Sequence, residues 1–163
     1  MITIEPTRSP DHHTVDSAAA RASLAAFLLR ARKAVGLAGQ VDVLLTSDAA
    51  VRRLNRAFRR KDKPTDVLSF PAPPEIAAQH AGDLAISLET AARQAGQFGH
   101  SLALEVRILL LHGLLHLAGE DHETDHGEMA AREAELRHRF RLPATLIQRA
   151  TALPAAATRR GRP

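Results

Sequence analysis

The segment His112-Gly113-Leu114-Leu115-His116-Leu117-Ala118-Gly119-Glu120-Asp121-His122 places histidines at i, i+4 and i+10, with a glycine at i+7. Neutral imidazole is a common ligand for zinc and related ions. Two histidines four apart on a helix project from one face, with Cβ atoms about 5–6 Å apart. That separation suits two ligands of one tetrahedral ion. Gly119 offers a helix stop, because glycine takes the left-handed C′ conformation without a Cβ clash. The chain can turn there and swing His122 back to the same ion. Three histidines leave a fourth position for water, the arrangement of catalytic rather than structural zinc.

The same H-x-x-x-H-x-x-G-x-x-H spacing occurs in metzincin proteases, which carry a general-base glutamate directly after the first histidine. Gly113 stands there in this chain. Peptide hydrolysis thus lacks its usual proton acceptor, so the protease reading falls while the ligand geometry is kept. Glu120 and Glu123 are near enough in sequence to substitute, and the sequence chooses neither. His12, His13, His80, His100 and His138 lack this context and read as surface or capping residues. Two histidines on an almost wholly apolar helix would be costly to bury without partners, and a metal removes that cost.

A second constellation is cationic. Arg52, Arg53, Arg56, Arg59, Arg60, Lys61 and Lys63 fall within twelve residues, opposed only by Asp62. A charge run is usually a solvated helix face. This one runs straight into an apolar strand, and a turn between helix and strand can present cations at a cleft. The planar fork of arginine bonds two phosphate oxygens at once. Metal plus arginine is a constellation for phosphodiester hydrolysis.

Composition narrows the classes. At 163 residues, 45% of them hydrophobic and 25% charged, the chain has the balance of a globular domain rather than a disordered one. Residues 1–153 are expected to form a single domain, and residues 154–163 a basic, disordered tail. The absence of cysteine excludes disulfides and thiolate metal sites, and a reducing cytoplasm is the simplest setting. The formal charge is +4, of which Arg159, Arg160 and Arg162 supply three, so overall basicity says little about nucleic acid. With no Trp, no Tyr and five Phe, an RNA surface built on aromatic stacking is not expected. No signal peptide is evident, and the apolar runs are too short or too interrupted by charge to suggest a membrane partner.

The elements that must hold these residues can be read from the pattern. Residues 1–5 alternate as a short edge strand, and residues 16–35 form a helix ending near Gly36. Residues 41–46 are a strand, after which Ser47 caps a helix through about Phe58. Residues 61–65 turn into a second strand at 66–70. A Pro- and Ala-rich loop at 71–81 precedes a third strand at 82–87. Ser87 caps the next helix, which ends near Gly96 or Gly99. Residues 101–118 are apolar nearly all round and predict a central buried helix. An amphipathic helix is expected at 124–141, and a short one past Pro143. The fold class is therefore α+β: a small mixed β-sheet packed with about five helices around a central metal-binding helix.

Three segments resemble the YbeY family, the bacterial endoribonucleases of ribosomal RNA maturation. His112 to His122 is similar to the family's H-G-x-L-H-L-x-G-x-D-H signature. Asn55 to Pro71 is similar to N-x-x-[FY]-R-x-K-D-x-P-T-D-V-L-S-F-P, and Gly82 to Ser87 to G-D-[IL]-x-I-S. They occur in the family's order and cover about residues 40 to 140. Two positions depart from the pattern. Glu120 stands where an aromatic or other residue is usual, and His126 where an acidic one is common.

The resemblance implies a zincin-like α+β domain with one zinc ion held by His112, His116 and His122, and a functional arginine at Arg59. It implies cleavage of single-stranded RNA, in small-subunit rRNA 3′-end maturation and ribosome quality control. The implied partners are precursor rRNA, the ribosome and its proteins, and an Era-like GTPase. Asp83 and Asp121 are candidates to orient a metal-bound histidine, since such histidines commonly donate to a carboxylate. The residues leave two other readings open. One is a zinc hydrolase of another substrate, and the other a non-catalytic ribosome assembly factor with a structural zinc.

Overall fold

The computed structural model describes residues 1–7, 12–62 and 65–143. The expected short helix past Pro143 and the basic tail lie outside the described residues. The elements are β1 (Ile2–Ile4), α1 (His12–Asp16), α2 (Ala18–Val35), β2 (Gln40–Thr46), α3 (Asp48–Arg59), β3 (Val67–Pro71), β4 (His80–Ser87), α4 (Leu88–Phe98), α5 (Leu102–Leu117) and α6 (Glu128–Phe140). The five-residue α1 is the helix beyond the five expected. Ser17 separates it from α2, because its hydroxyl accepts from Ala20 N at 3.2 Å and starts a new helix. Ser47, Ser87 and Ser101 cap α3, α4 and α5 in the same way.

The four strands form one mixed sheet in the order β1-β2-β4-β3. β1 and β4 both run parallel to β2, while β3 runs antiparallel to β4 at the edge. Strand alternation divides the residues between two faces. On one face Val43, Leu45, Leu84 and Ile86 join α2, α4 and α5 in the main core. On the other, Leu68 and Ala85 meet Val51 of α3 in a smaller cluster. α3 and α5 thus flank β3 from opposite sides.

α5 is the centre of the packing. It touches α1, α2, α4, α6, β3 and β4, and its residues from Val106 to Leu115 are almost all buried. Gly113 sets how closely it lies on the sheet. A Cβ there would sit 2.8 Å from Leu84 Cδ2 and 3.4 Å from Ser69 Oγ. The gap is closed by a hydrogen bond, with Ser69 Oγ donating to Gly113 O at 3.3 Å. The glutamate that a metzincin site would need at this position would force the buried Leu84 side chain to shift.

Helix α5 stops as the sequence predicts. Gly119 adopts φ +86°, Gly119 N donates to His116 O at 3.0 Å, and Glu120 N donates to Leu115 O at 3.1 Å. This paired closure is a Schellman motif, with glycine at the left-handed C′ position. Gly113→Ala is expected to destabilise the fold by about 1–3 kcal/mol through overpacking. Urea unfolding checks it: the midpoint should fall with the slope unchanged.

Candidate metal centre and its cleft

His112, His116 and His122 converge, with one ring nitrogen from each lying within 4.8 Å of the others. His112 Nε2 and His116 Nε2 are 3.1 Å apart, close to the roughly 3.3 Å expected between two nitrogens of a tetrahedral zinc site. The ring centroids are 4.7 Å apart for 112–116, 5.4 Å for 112–122 and 5.6 Å for 116–122. His112 is buried, His116 half-buried and His122 exposed, so the cluster opens outward from the end of α5.

A residue not anticipated from the sequence orders this cluster. Glu133 of α6 is fully buried, and its Oε1 lies 3.1 Å from His112 Nδ1. A carboxylate accepts, so the Nδ1 of His112 carries the proton and its Nε2 turns a lone pair toward His116. The second oxygen, Glu133 Oε2, is buried with no hydrogen-bond partner. A buried polar oxygen left without a donor is costly, and a cation nearby lowers that cost. The convergent imidazoles and the orphaned carboxylate oxygen both fit a divalent ion at the histidine cluster.

The sequence did hold a weak signal for Glu133. It follows Met129 by one helical turn on an amphipathic pattern, but a lone acidic position on a charged helix does not announce burial. Asp125 sets the start of α6, which is Glu128 rather than the expected Thr124. Its carboxylate accepts from Gly127 N at 2.8 Å and Met129 N at 2.7 Å. Those two bonds, ahead of any opposing desolvation, hold the Asp125 carboxyl below its usual range.

The cleft beside the cluster has a volume of about 300 Å³ and is lined by both walls of the fold. One wall carries His112, His116, His122, Asp121 and Glu123; the other carries Arg59, Lys61, Asp66 and Ser69. Arg59, in the last turn of α3, donates from Nη2 to Ser69 O at 3.3 Å. Ser69 thus touches both walls, through its hydroxyl to α5 and its carbonyl to Arg59. The turn after α3 is made by Arg60 in the left-handed conformation, φ 54°, with its N–H bonded to Asn55 O.

The other sequence candidates fall differently. Asp121 lines the cleft, and its Oδ1 accepts from Glu123 N at 3.0 Å. Asp83 does not approach the histidines. It is exposed beside His80, 3.3 Å away, in the groove formed by Leu44, Leu54 and Phe58. The cause is the strand period, since Asp83 lies on the α3 side of β4 and the imidazoles on the α5 side. Glu120 pairs with Arg132 at 3.1 Å and is thereby taken up by α6. His126 is exposed on the loop before α6.

The family profile described as Endoribonuclease YbeY matches residues 7–141. The chain belongs to the YbeY family. An Endoribonuclease YbeY from Koribacter versatilis is 60% identical over 129 residues, covering 79% of this chain and 83% of that one. One from Solibacter usitatus is 49% identical over 129 residues, covering 79% and 85%. A solved solution structure of a protein from Thermotoga maritima is similar at a TM-score of 0.55 and 27% identity, covering 86% of this chain and 92% of that one. The YbeY match spans the histidine cluster, the Arg59 turn and the Glu133 helix together.

Burial, then the neighbouring His112 and His122, push the His116 imidazole below its usual 6.5, with Asp121 opposing. The folded chain therefore disfavours the extra proton that the unfolded chain takes up. Stability from this group is complete above pH 6.5 and declines as the pH falls toward the lowered folded value. Melting curves of metal-free protein should show that decline below pH 6.5, and His116→Gln should flatten it. Glu133→Gln is expected to weaken zinc binding about 10–100-fold while preserving the fold. Competitive chelator titration measures the affinity, and parent-like affinity would show that Glu133 does not orient His112.

Proposed function

We propose that this chain is a metal-dependent endoribonuclease acting on single-stranded RNA, in maturation of the small-subunit rRNA 3′ end and in ribosome quality control. The carrying observation is a cleft that combines three convergent imidazoles with Arg59 and Lys61, in a chain whose relatives are named endoribonucleases. In this reading His112, His116 and His122 hold one zinc ion. Precursor rRNA, the ribosome with its proteins, and an Era-like GTPase are the partners, and the location is cytoplasmic. Among the described residues no single helix is long and apolar enough to cross a membrane.

When bound, such an ion supplies Lewis acidity, polarising a phosphoryl oxygen or lowering the pKa of water toward about 7. The chain's own residues do the rest. Arg59 is steadied by Ser69 O through one N–H, and its remaining donors can bond non-bridging phosphate oxygens and stabilise the charge that builds there. Lys61 adds a second positive charge to the same wall. Proton transfer falls to Asp121 or Glu123. The third cleft carboxylate, Asp66, is engaged at both oxygens, accepting from Val67 N at 2.8 Å and Gln94 Nε2 at 3.0 Å.

The test uses purified, zinc-loaded protein on precursor small-subunit rRNA, with His116→Ala as the control. His116→Ala should lose zinc and cleavage together. Arg59→Ala should keep stoichiometric zinc and lose about 100-fold or more in cleavage rate. Cleavage at the parent rate would remove Arg59 from the reaction. Tight ribosome binding without cleavage by the parent protein would instead favour an assembly factor. Product ends divide the routes, since a 2′,3′-cyclic phosphate means that the ribose 2′-OH, not water, attacked.

A further inference from the structure

Seven basic residues and one acidic residue lie between Arg52 and Lys63, leaving 15 basic against 17 acidic in the rest of the chain. The net positive charge of this protein is therefore a property of α3 and the turn after it. On α3, Arg53, Arg56 and Arg59 follow one another at i, i+3 and i+6, so neighbours lie one above the next on the helix surface. The line covers about 9 Å of helix axis. It drifts around the helix by about 60° per step, because each step of three residues falls short of a full turn. Its last member, Arg59, is in the cleft wall.

All three arginines are exposed. Arg52 is held by Asp62, with Nε 2.8 Å from Oδ1; Asp62 also attracts Arg56 at longer range, but among the described residues no carboxylate forms a salt bridge with Arg53 or Arg56. Like charges at these spacings repel along a helix. Apart from Asp48 at its start, α3 has no acidic residue of its own to offset them. A polyanion lying along the line removes that repulsion. Its continuity with a cleft able to take a phosphodiester favours a nucleic-acid strand over an acidic protein.

We infer that the Arg53–Arg56 face of α3 is the track along which single-stranded RNA leaves the metal cleft, gripping two phosphates outside the cleft. The inference rests on the ribonuclease reading for the identity of the strand. The grip is on the backbone and is independent of sequence, since arginine side chains on an exposed helix face meet phosphates rather than base edges. It extends the contact beyond the scissile bond, so it distinguishes long substrates from short ones.

The test is fluorescence anisotropy with the full, zinc-loaded chain and 2′-O-methylated single-stranded RNA probes of about 12 and about 3 nucleotides, within the range of single-strand binding sites. In the Arg53→Gln/Arg56→Gln variant the longer probe should bind at least about tenfold more weakly at low salt. The slope of log K against log salt should flatten by about 1.4, at roughly 0.7 per phosphate lost. The 3-nucleotide probe should bind as it does to the parent. The Arg53→Lys/Arg56→Lys variant should retain most of the slope, which separates lost charge from a damaged helix. An unchanged slope, or equal weakening of both probes, overturns the track. Should the parent cut no RNA and the slope still flatten in the Gln variant, the track stands and the ribonuclease reading falls.

Discussion

Helix α5 can be buried on nearly every side only if the imidazoles near its C-terminal end are satisfied. An unpartnered polar group in an apolar interior costs about 2–7 kcal/mol, depending on the reference state, a large share of the stability of a small domain. Much of the architecture meets this demand. Glu133 comes from α6 to accept a hydrogen bond from His112 Nδ1, and Asp125 fixes where α6 begins. Gly119 ends α5 so that the chain returns with His122. What this leaves is a set of ring nitrogens converging within 4.8 Å of one another and a buried carboxylate behind them.

The second wall is joined to the first through one edge residue. Ser69 donates to the carbonyl of Gly113 and accepts from Arg59. That bridge needs β3 at the sheet edge, α5 pressed close at a glycine, and α3 on the opposite face of the same strand. A side chain at 113 would meet the Leu84 side chain of β4 at 2.8 Å, so Leu84 or the helix would have to shift. The glycine that argues against protease chemistry is also the residue where α5 meets the Leu84 side chain and bonds the Ser69 hydroxyl.

Much of this was legible in the residues themselves. Period-two and near-continuous apolar runs located β2, β3, β4 and α5 to within a residue or two, since those segments are buried in the way their patterns state. The capping serines at 47 and 87 and the stop at Gly119 act within a few bonds of their own backbone, so local rules sufficed. The break at Ser17 and the late start of α6 were less legible. There a side chain competes with the backbone for the same N–H groups, and sequence pattern alone does not tell which wins.

The sequence by itself determined the candidate donor groups: three imidazoles at one spacing, a glycine to turn on, and a block of cations in one stretch. Spacing along a helix is a local property, fixed by 3.6 residues per turn. Only the tertiary structure decided which carboxylate serves the cluster. Asp83 and Asp121 were the candidates by motif, yet the strand period turns Asp83 to the far face and Asp121 accepts from Glu123 N, while Glu133, on a helix eleven residues past His122, is carried in by packing. Tertiary structure also decided that Arg59 faces the histidines at all. Its guanidinium and their rings are more than fifty residues apart in the chain and meet because α3 and α5 clasp one edge strand from its two sides.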